Sequence, residues 1–165
     1  SSGGRNGAVE MTQARPRLAV RDLQRSLAFY REVLGLEIVR DGGAHVELTG
    51  GLALQTRDSW AGLLGRAPAE LPPGGGCGAV SLEAEDFDAF LAALGTHPEV
   101  ELLHPVREHR WGQRAVYLYD PDRHILEVEE SLAKVARRFF DSGLSTEGVA
   151  RRMDVPLETV QKWLK

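Results

Sequence analysis

Side chains capable of covalent or metal chemistry are few in this 165-residue chain, and their spacing does not favour it. The five histidines, His45, His97, His104, His109 and His124, form no pair at helix or hairpin ligand spacing. Each reads as a surface or capping residue. Ser81 has no evident histidine and carboxylate partner. Cys77, the only cysteine, lies in a glycine-rich run with no base nearby in sequence. Nucleophilic catalysis is therefore not indicated, and recognition chemistry remains. The guanidinium groups of Arg15 and Arg17 can hold an anionic or carbonyl group bidentately. The rings of Trp60 and Trp111 offer flat apolar faces. Together such groups suit a planar, partly apolar ligand.

Two copies of one structural unit must position these residues. In the stretch 22–36, Asp22 can cap the first turn of a helix. Leu23, Leu27, Tyr30 and Leu34 then recur at helical spacing, and Gly35 is a natural stop that tolerates positive φ. A weaker echo begins at Asp86, with Phe87, Phe90, Leu91 and Leu94 as its stripe and Gly95 as its stop. Each helix follows a short strand-like run, 17–20 or 79–82. Three further strands follow each helix: 36–39, 44–48 and 52–56 in the first unit, and 101–103, 114–119 and 124–128 in the second. The glycine pairs 42–43 and 50–51 and the turn Asp120-Pro121-Asp122 punctuate them. The pattern predicts an α+β protein of two tandem βαβββ units, 15–57 and 77–130, joined by a linker 58–76 with one helical turn. Residues 1–14, polar and glycine-rich, are expected to be disordered. Residues 131–165 read as a helical extension.

Bulk properties narrow the function classes. The formal charge of −4 gives the whole chain no nucleic-acid bias. One cysteine permits no internal disulfide and suits a reducing cytoplasm. No apolar run approaches membrane-spanning length.

The doubled unit, the 22–36 motif, the closing segments Trp111-Gly112-Gln113-Arg114 and Asp120-Pro121-Asp122-Arg123-His124, and Glu127 together resemble the vicinal oxygen chelate superfamily. That is the glyoxalase, bleomycin-resistance and ring-cleaving dioxygenase group. The resemblance spans roughly residues 15–130 and implies a curved sheet that lines a cleft holding a ligand or metal. Arg123 stands where the family usually has glycine, and requires either a positive φ or a different turn.

By the same resemblance, metal-binding members place ligands at four positions, which here hold Arg15, Ala79, Gln55 and Glu127. A guanidinium repels a cation and Ala79 has no donor, so no metal and no cofactor is expected. Glu127 is then expected to pair with Arg15 or Arg17 across the cleft, or to stay solvated at its wall. Strand parity places Arg15, Arg17, Ser81 and Glu83 on the cleft face, and favours His45, Glu47, Gln55 and Glu127 on the remaining strands. Trp60 and Trp111, on long loops, either wall this cleft or pack at a loop base or dimer seam.

In the extension, Ser131–Asp141, Ser145–Met153 and Pro156–Trp163 read as three helices, the last two resembling a helix-turn-helix. Thr159, Gln161 and Lys162 would be the base readers. That set is thin, and docking or dimer stabilisation is the expected role rather than DNA binding. The leading expectation is a metal-independent protein of the antibiotic-resistance kind that sequesters an aromatic or antibiotic-like ligand as a homodimer. The alternatives are a lyase, isomerase or dioxygenase-type enzyme with an altered metal site, and a ligand-responsive DNA-binding regulator.

Overall fold

A computed structural model describes residues 13–72 and 79–165. Cys77, the glycine-rich end of the linker and nearly all of the segment 1–14 lie outside the described residues. The first unit comprises β1 (Arg17–Val20), α1 (Leu23–Glu32), β2 (Ile38–Asp41), β3 (His45–Leu48) and β4 (Ala53–Thr56). A helix, α2 (Arg57–Leu63), and a 3-10 turn at Pro68–Glu70 follow. The second unit comprises β5 (Ala79–Ala84), α3 (Phe87–Leu94), β6 (Arg107–Glu108), β7 (Arg114–Tyr119) and β8 (Ile125–Glu130). The sheets run β1-β4-β3-β2 and β5-β8-β7-β6. In each, the unit's first strand pairs in parallel with its last and the other pairs are antiparallel. The fold is therefore α+β with two βαβββ units.

Local chemistry explains the helices. Asp22 accepts the Arg25 N–H at 3.1 Å, and Asp86 accepts the Ala89 N–H at 2.9 Å. These side chains satisfy donors that the first helical turn leaves unpaired. Gly35 ends α1 at φ 68° as its sequence suggests. Gly95 does not share that geometry. It stays right-handed at φ −62°, and the chain leaves α3 through tighter turns at Thr96 and His97.

Even-numbered side chains of the strands face inward. Val20, Val46, Leu54, Val116, Leu118, Leu126 and Val128 are buried, with Leu23, Leu27 and Tyr30 of α1 and Phe87 of α3 packed on them. One apolar core thus runs through both units.

Two expectations are corrected. The segment 101–103 is not a regular strand. It touches β7 through an isolated bridge at Leu102, and the strand at that edge is 107–108. Pro105, which has no N–H to donate, interrupts the run. The linker holds a two-turn helix rather than a single turn, because Thr56 caps it on the Ser59 N–H.

The extension forms α4 (Leu132–Asp141), α5 (Thr146–Met153) and α6 (Leu157–Trp163). Among the described residues, no helix is long and apolar enough to cross a membrane. Glu130, at the end of β8, fastens the extension to the second sheet. It accepts from Arg114 Nε at 3.0 Å and from Arg138 Nη1 of α4 at 2.8 Å.

Candidate functional site

The turn between β7 and β8 locks the two units together. Asp120 Oδ1 accepts the backbone N–H groups of Asp122, at 2.9 Å, and His124, at 2.8 Å, which closes the turn. Its other oxygen accepts the Tyr30 hydroxyl of α1 at 2.8 Å. Asp122 Oδ1 accepts both the backbone N–H and Nε of Arg21, at 3.0 and 2.9 Å. His124 Nε2 lies 2.8 Å from the Ala19 carbonyl of β1. A carbonyl can only accept, so this nitrogen carries the proton. Arg123 adopts φ 67°, the left-handed conformation its place in the turn demands. Its guanidinium pairs with Glu101 at 2.7 Å and lies 4.0 Å from the Tyr119 ring.

Between this turn, β1 and α2 lies a cavity of about 870 Å³. Four arginines reach it: Arg17, Arg21, Arg57 and Arg123. Arg57 is held by the carbonyls of Leu71, at 2.9 Å, and Pro72, at 3.2 Å, which fold the linker over the opening. Asp122 is the carboxylate among the lining residues, and Arg21 and Ser26 already engage it. The cavity is thus cationic. The rings of Trp60 and Tyr119 give it aromatic walls, and the Arg17 guanidinium stands 5.8 Å from the Trp60 ring.

Of the residues expected to bind ligand, Arg17 and Trp60 line this cavity. Trp60 does so from a helix, not from a loop. Arg15 is exposed before β1 and bonds to Gln13. His45, Glu47 and Gln55 share a face of the first sheet, with His45 opposite Gln55 in the β3–β4 register. Gln55 is buried and donates to Ser59 Oγ at 2.7 Å, while its Oε1 has no partner.

Ser81, Glu83 and Glu127 share the open face of the second sheet. Ser81 donates to Glu127 Oε1 at 2.9 Å, and the Tyr117 hydroxyl donates to Oε2. The arrangement expected across the cleft is corrected here. Among the described residues no arginine lies within ion-pair distance of Glu127, because β8 pairs it with β5 and β7 instead. Glu129, two residues on, is pushed above the usual carboxylate range by burial and by the charges of Glu127 and Glu83. A smaller hollow of about 240 Å³ lies beside this face, between His104, Arg107, His109 and Tyr117.

Trp111 stands apart from the cavity. Its ring stacks on His109 at 4.3 Å, its Nε1 donates to Gln113 at 2.9 Å, and it packs against the C-terminal helices. The cavity residues that sequence reasoning did not propose are chiefly Arg21, Arg57, Tyr119, Arg123 and His124. The Asp-Pro-Asp turn was the available signal, since a tight turn must bring its flanking residues to one end of the sheet.

The four positions at which the resemblance implies a metal do not fit one. Arg15 offers a cation, Ala79 a methyl group, Gln55 an amide on one sheet and Glu127 a carboxylate on the other. Among the described residues no group of three or more histidine, cysteine, aspartate or glutamate side chains is placed to hold an ion. A divalent ion needs a closer and more basic donor set.

A paired βαβββ fold with a cavity at the junction of its units defines a class of protein by architecture rather than by one activity. Residues 14–133 match the family described as Glyoxalase-like domain. The chain belongs to that family. It is similar to a protein of unknown function from Agrobacterium tumefaciens str. C58, at 35% identity and TM-score 0.67, over 76% of this chain and 98% of that one. It is also similar to a lactoylglutathione lyase from Agrobacterium tumefaciens, at 28% identity and TM-score 0.55, over 73% of this chain and 95% of that one. A glyoxalase/bleomycin resistance protein/dioxygenase from Nocardioides shares the fold at 21% identity and TM-score 0.59, over 76% and 87% of the two chains. None of the curated proteins compared matches the sequence significantly.

Proposed function

We propose that this chain is a metal-independent binding protein that sequesters a planar, anionic, partly aromatic small molecule in the junction cavity. One observation carries the reading: four arginines line a space walled by two aromatic rings, and among the described residues Arg17 has no carboxylate or carbonyl partner there while Arg21, Arg57 and Arg123 are held in place by theirs. Guanidinium groups hold carboxylates bidentately, donate to the single oxygen of phenolates and conjugated carbonyls, and stack on flat ligands. An antibiotic-like polyphenol or aromatic acid has that chemistry.

A thermal-shift screen of aromatic acids and phenolic antibiotics, run in the presence of a chelator, tests this. A ligand at 100 times its dissociation constant adds about 2.7 kcal/mol of stability. Stabilisation by an anionic aromatic compound in chelator supports the reading. Stabilisation or turnover that appears only on adding a divalent metal rejects it and favours an enzyme of the lyase or dioxygenase type.

The proposal includes a homodimer. β2 is a sheet edge, and Ile38 and Val39 on it are exposed. An apolar edge of this kind invites pairing with a second copy. Light scattering that shows a strict monomer at micromolar concentration rejects the dimer.

A further inference from the structure

The cavity does not involve α4–α6, and these helices have features of their own. They close on a separate apolar core of Val135, Ala136, Val149, Ala150, Met153 and Val160. Three residues, Asp154-Val155-Pro156, separate α5 from α6. Asp154 takes φ 58°, the left-handed conformation that lets the chain reverse in so short a turn. Two short helices joined by a three-residue turn and braced by a third helix have the connectivity of a helix-turn-helix.

The side chains divide cleanly on α6 and the residues that follow it. Leu157, Val160 and Leu164 face the core. Glu158, Gln161, Lys162 and Lys165 are exposed, at the spacing i, i+3, i+4, i+7 that makes a single stripe. Every member of that stripe can make polar contacts in a DNA groove. Glutamate accepts from the cytosine amino group, glutamine pairs bidentately with adenine, and lysine donates to guanine or to phosphate. Arg151 on α5 is also exposed and has no carboxylate within 4 Å among the described residues.

Charge is distributed to match. Residues 131–165 hold seven lysines and arginines against four acidic residues, whereas the chain as a whole carries −4. The extension therefore has a positive net balance while the rest of the chain is net acidic, which favours phosphate approaching at the extension. Thr159, expected from the sequence as a base reader, is half-buried, and Glu158 is exposed beside Gln161 and Lys162 instead.

We infer that α5, its turn and α6 form a sequence-reading DNA-binding unit. α6 enters the major groove with Glu158, Gln161 and Lys162 toward base edges, and Arg151 and Lys165 meet flanking phosphates. This inference is independent of the cavity reading.

The test is selection of the full chain on a pool of random-sequence duplexes, at about 50 mM salt where phosphate contacts are strong. Enriched duplexes are then titrated by fluorescence anisotropy. The expected result is a recurrent motif. The double variant Gln161→Ala, Lys162→Ala should lose about tenfold or more of the preference for that motif over a scrambled duplex, with an unchanged melting temperature. Arg151→Ala should keep the preference but flatten the slope of log affinity against log salt by about 0.9. Failure to enrich any motif overturns the inference. So does a motif whose affinity the double variant leaves intact. In either case the stripe is a protein-docking face.

Discussion

Tyr30 and Asp120 lie at opposite ends of the two-unit fold in sequence, yet the phenol of one donates to the carboxylate of the other at 2.8 Å, both groups being buried. Burial and the neighbouring Asp120 charge push the Tyr30 phenol far above its ordinary value, and burial also raises Asp120. Tyr30→Phe leaves a buried carboxylate oxygen without its donor and should cost about 1–3 kcal/mol in urea unfolding. A loss well below that would mean that the Asp122 and His124 contacts and apolar packing suffice to join the units. The pH dependence has a definite sign. The folded phenol keeps its proton above the pH at which the unfolded one loses it, so this contribution is complete below about pH 10 and is lost as pH rises further. Tyr30→Phe should remove that alkaline dependence.

Glu130 should set the acid limb. Burial pulls its carboxyl upward, but hydrogen bonds from Arg114 and Arg138 outweigh this and hold it below the usual range. A depressed carboxyl contributes stability above its unfolded value of about 4.5 that is lost as pH falls through the folded value. Glu130→Gln should cost about 1.5–3 kcal/mol near neutrality, the range for hydrogen bonds to a charged group. It should also flatten the fall in stability below about pH 4.5. An unchanged acid limb would place its cause in other carboxylates.

Gly112 fixes how closely the extension approaches the sheet. Its φ is 87°, and a Cβ there would stand 2.7 Å from Phe139 Cε2 and nearer still to Cζ. Gly112→Ala combines overpacking with a strained backbone and should cost about 2–4 kcal/mol. Measured in a Phe139→Leu background, Gly112→Ala should lose its packing part and keep about 1–2 kcal/mol of conformational cost. Calorimetry of the two single variants and the double variant measures the coupling. Strict additivity would show that the two residues do not meet.

The repeated unit was legible because its signals are local. The caps Asp22 and Asp86, the helical stripes and the alternating strands each specify their element without reference to the other unit. Arg123 was readable as a conflict through the family resemblance, which puts glycine there and left a positive φ or a different turn; the chain takes the positive φ. That conformation costs about 1–2 kcal/mol, partly offset by the exposed pair with Glu101 and the stacking on Tyr119. The cavity was less legible because it depends on where the units meet. Parity said which face Arg17 and Glu127 share with their own strands. It carried no information on whether the two faces converge. The pairing of Ser81 and Tyr117 with Glu127 depends on the β5–β8–β7 register, and the placement of Trp111 depends on helices that begin twenty residues later. Both are long-range facts that no local pattern encodes.

Arg17 separates binding from stability. Its side chain lies on the cavity wall near Trp60, and among the described residues no carboxylate lies within 4 Å of it. Removing an exposed guanidinium without an ion-pair partner should change folding stability by no more than about 0.5 kcal/mol. A bound anionic aromatic ligand would lose a charge-assisted hydrogen bond and should bind about 1.5–3 kcal/mol more weakly to Arg17→Ala. Arg17→Lys keeps the charge but not the planar fork, and should recover only part of the loss. Calorimetric titration with the compound found by thermal shift, beside urea unfolding of each variant, measures both quantities. Loss of stability equal to the loss of binding would make Arg17 a structural residue of β1. Unchanged binding in both variants would take the ligand away from Arg17 and reject the junction cavity as its site.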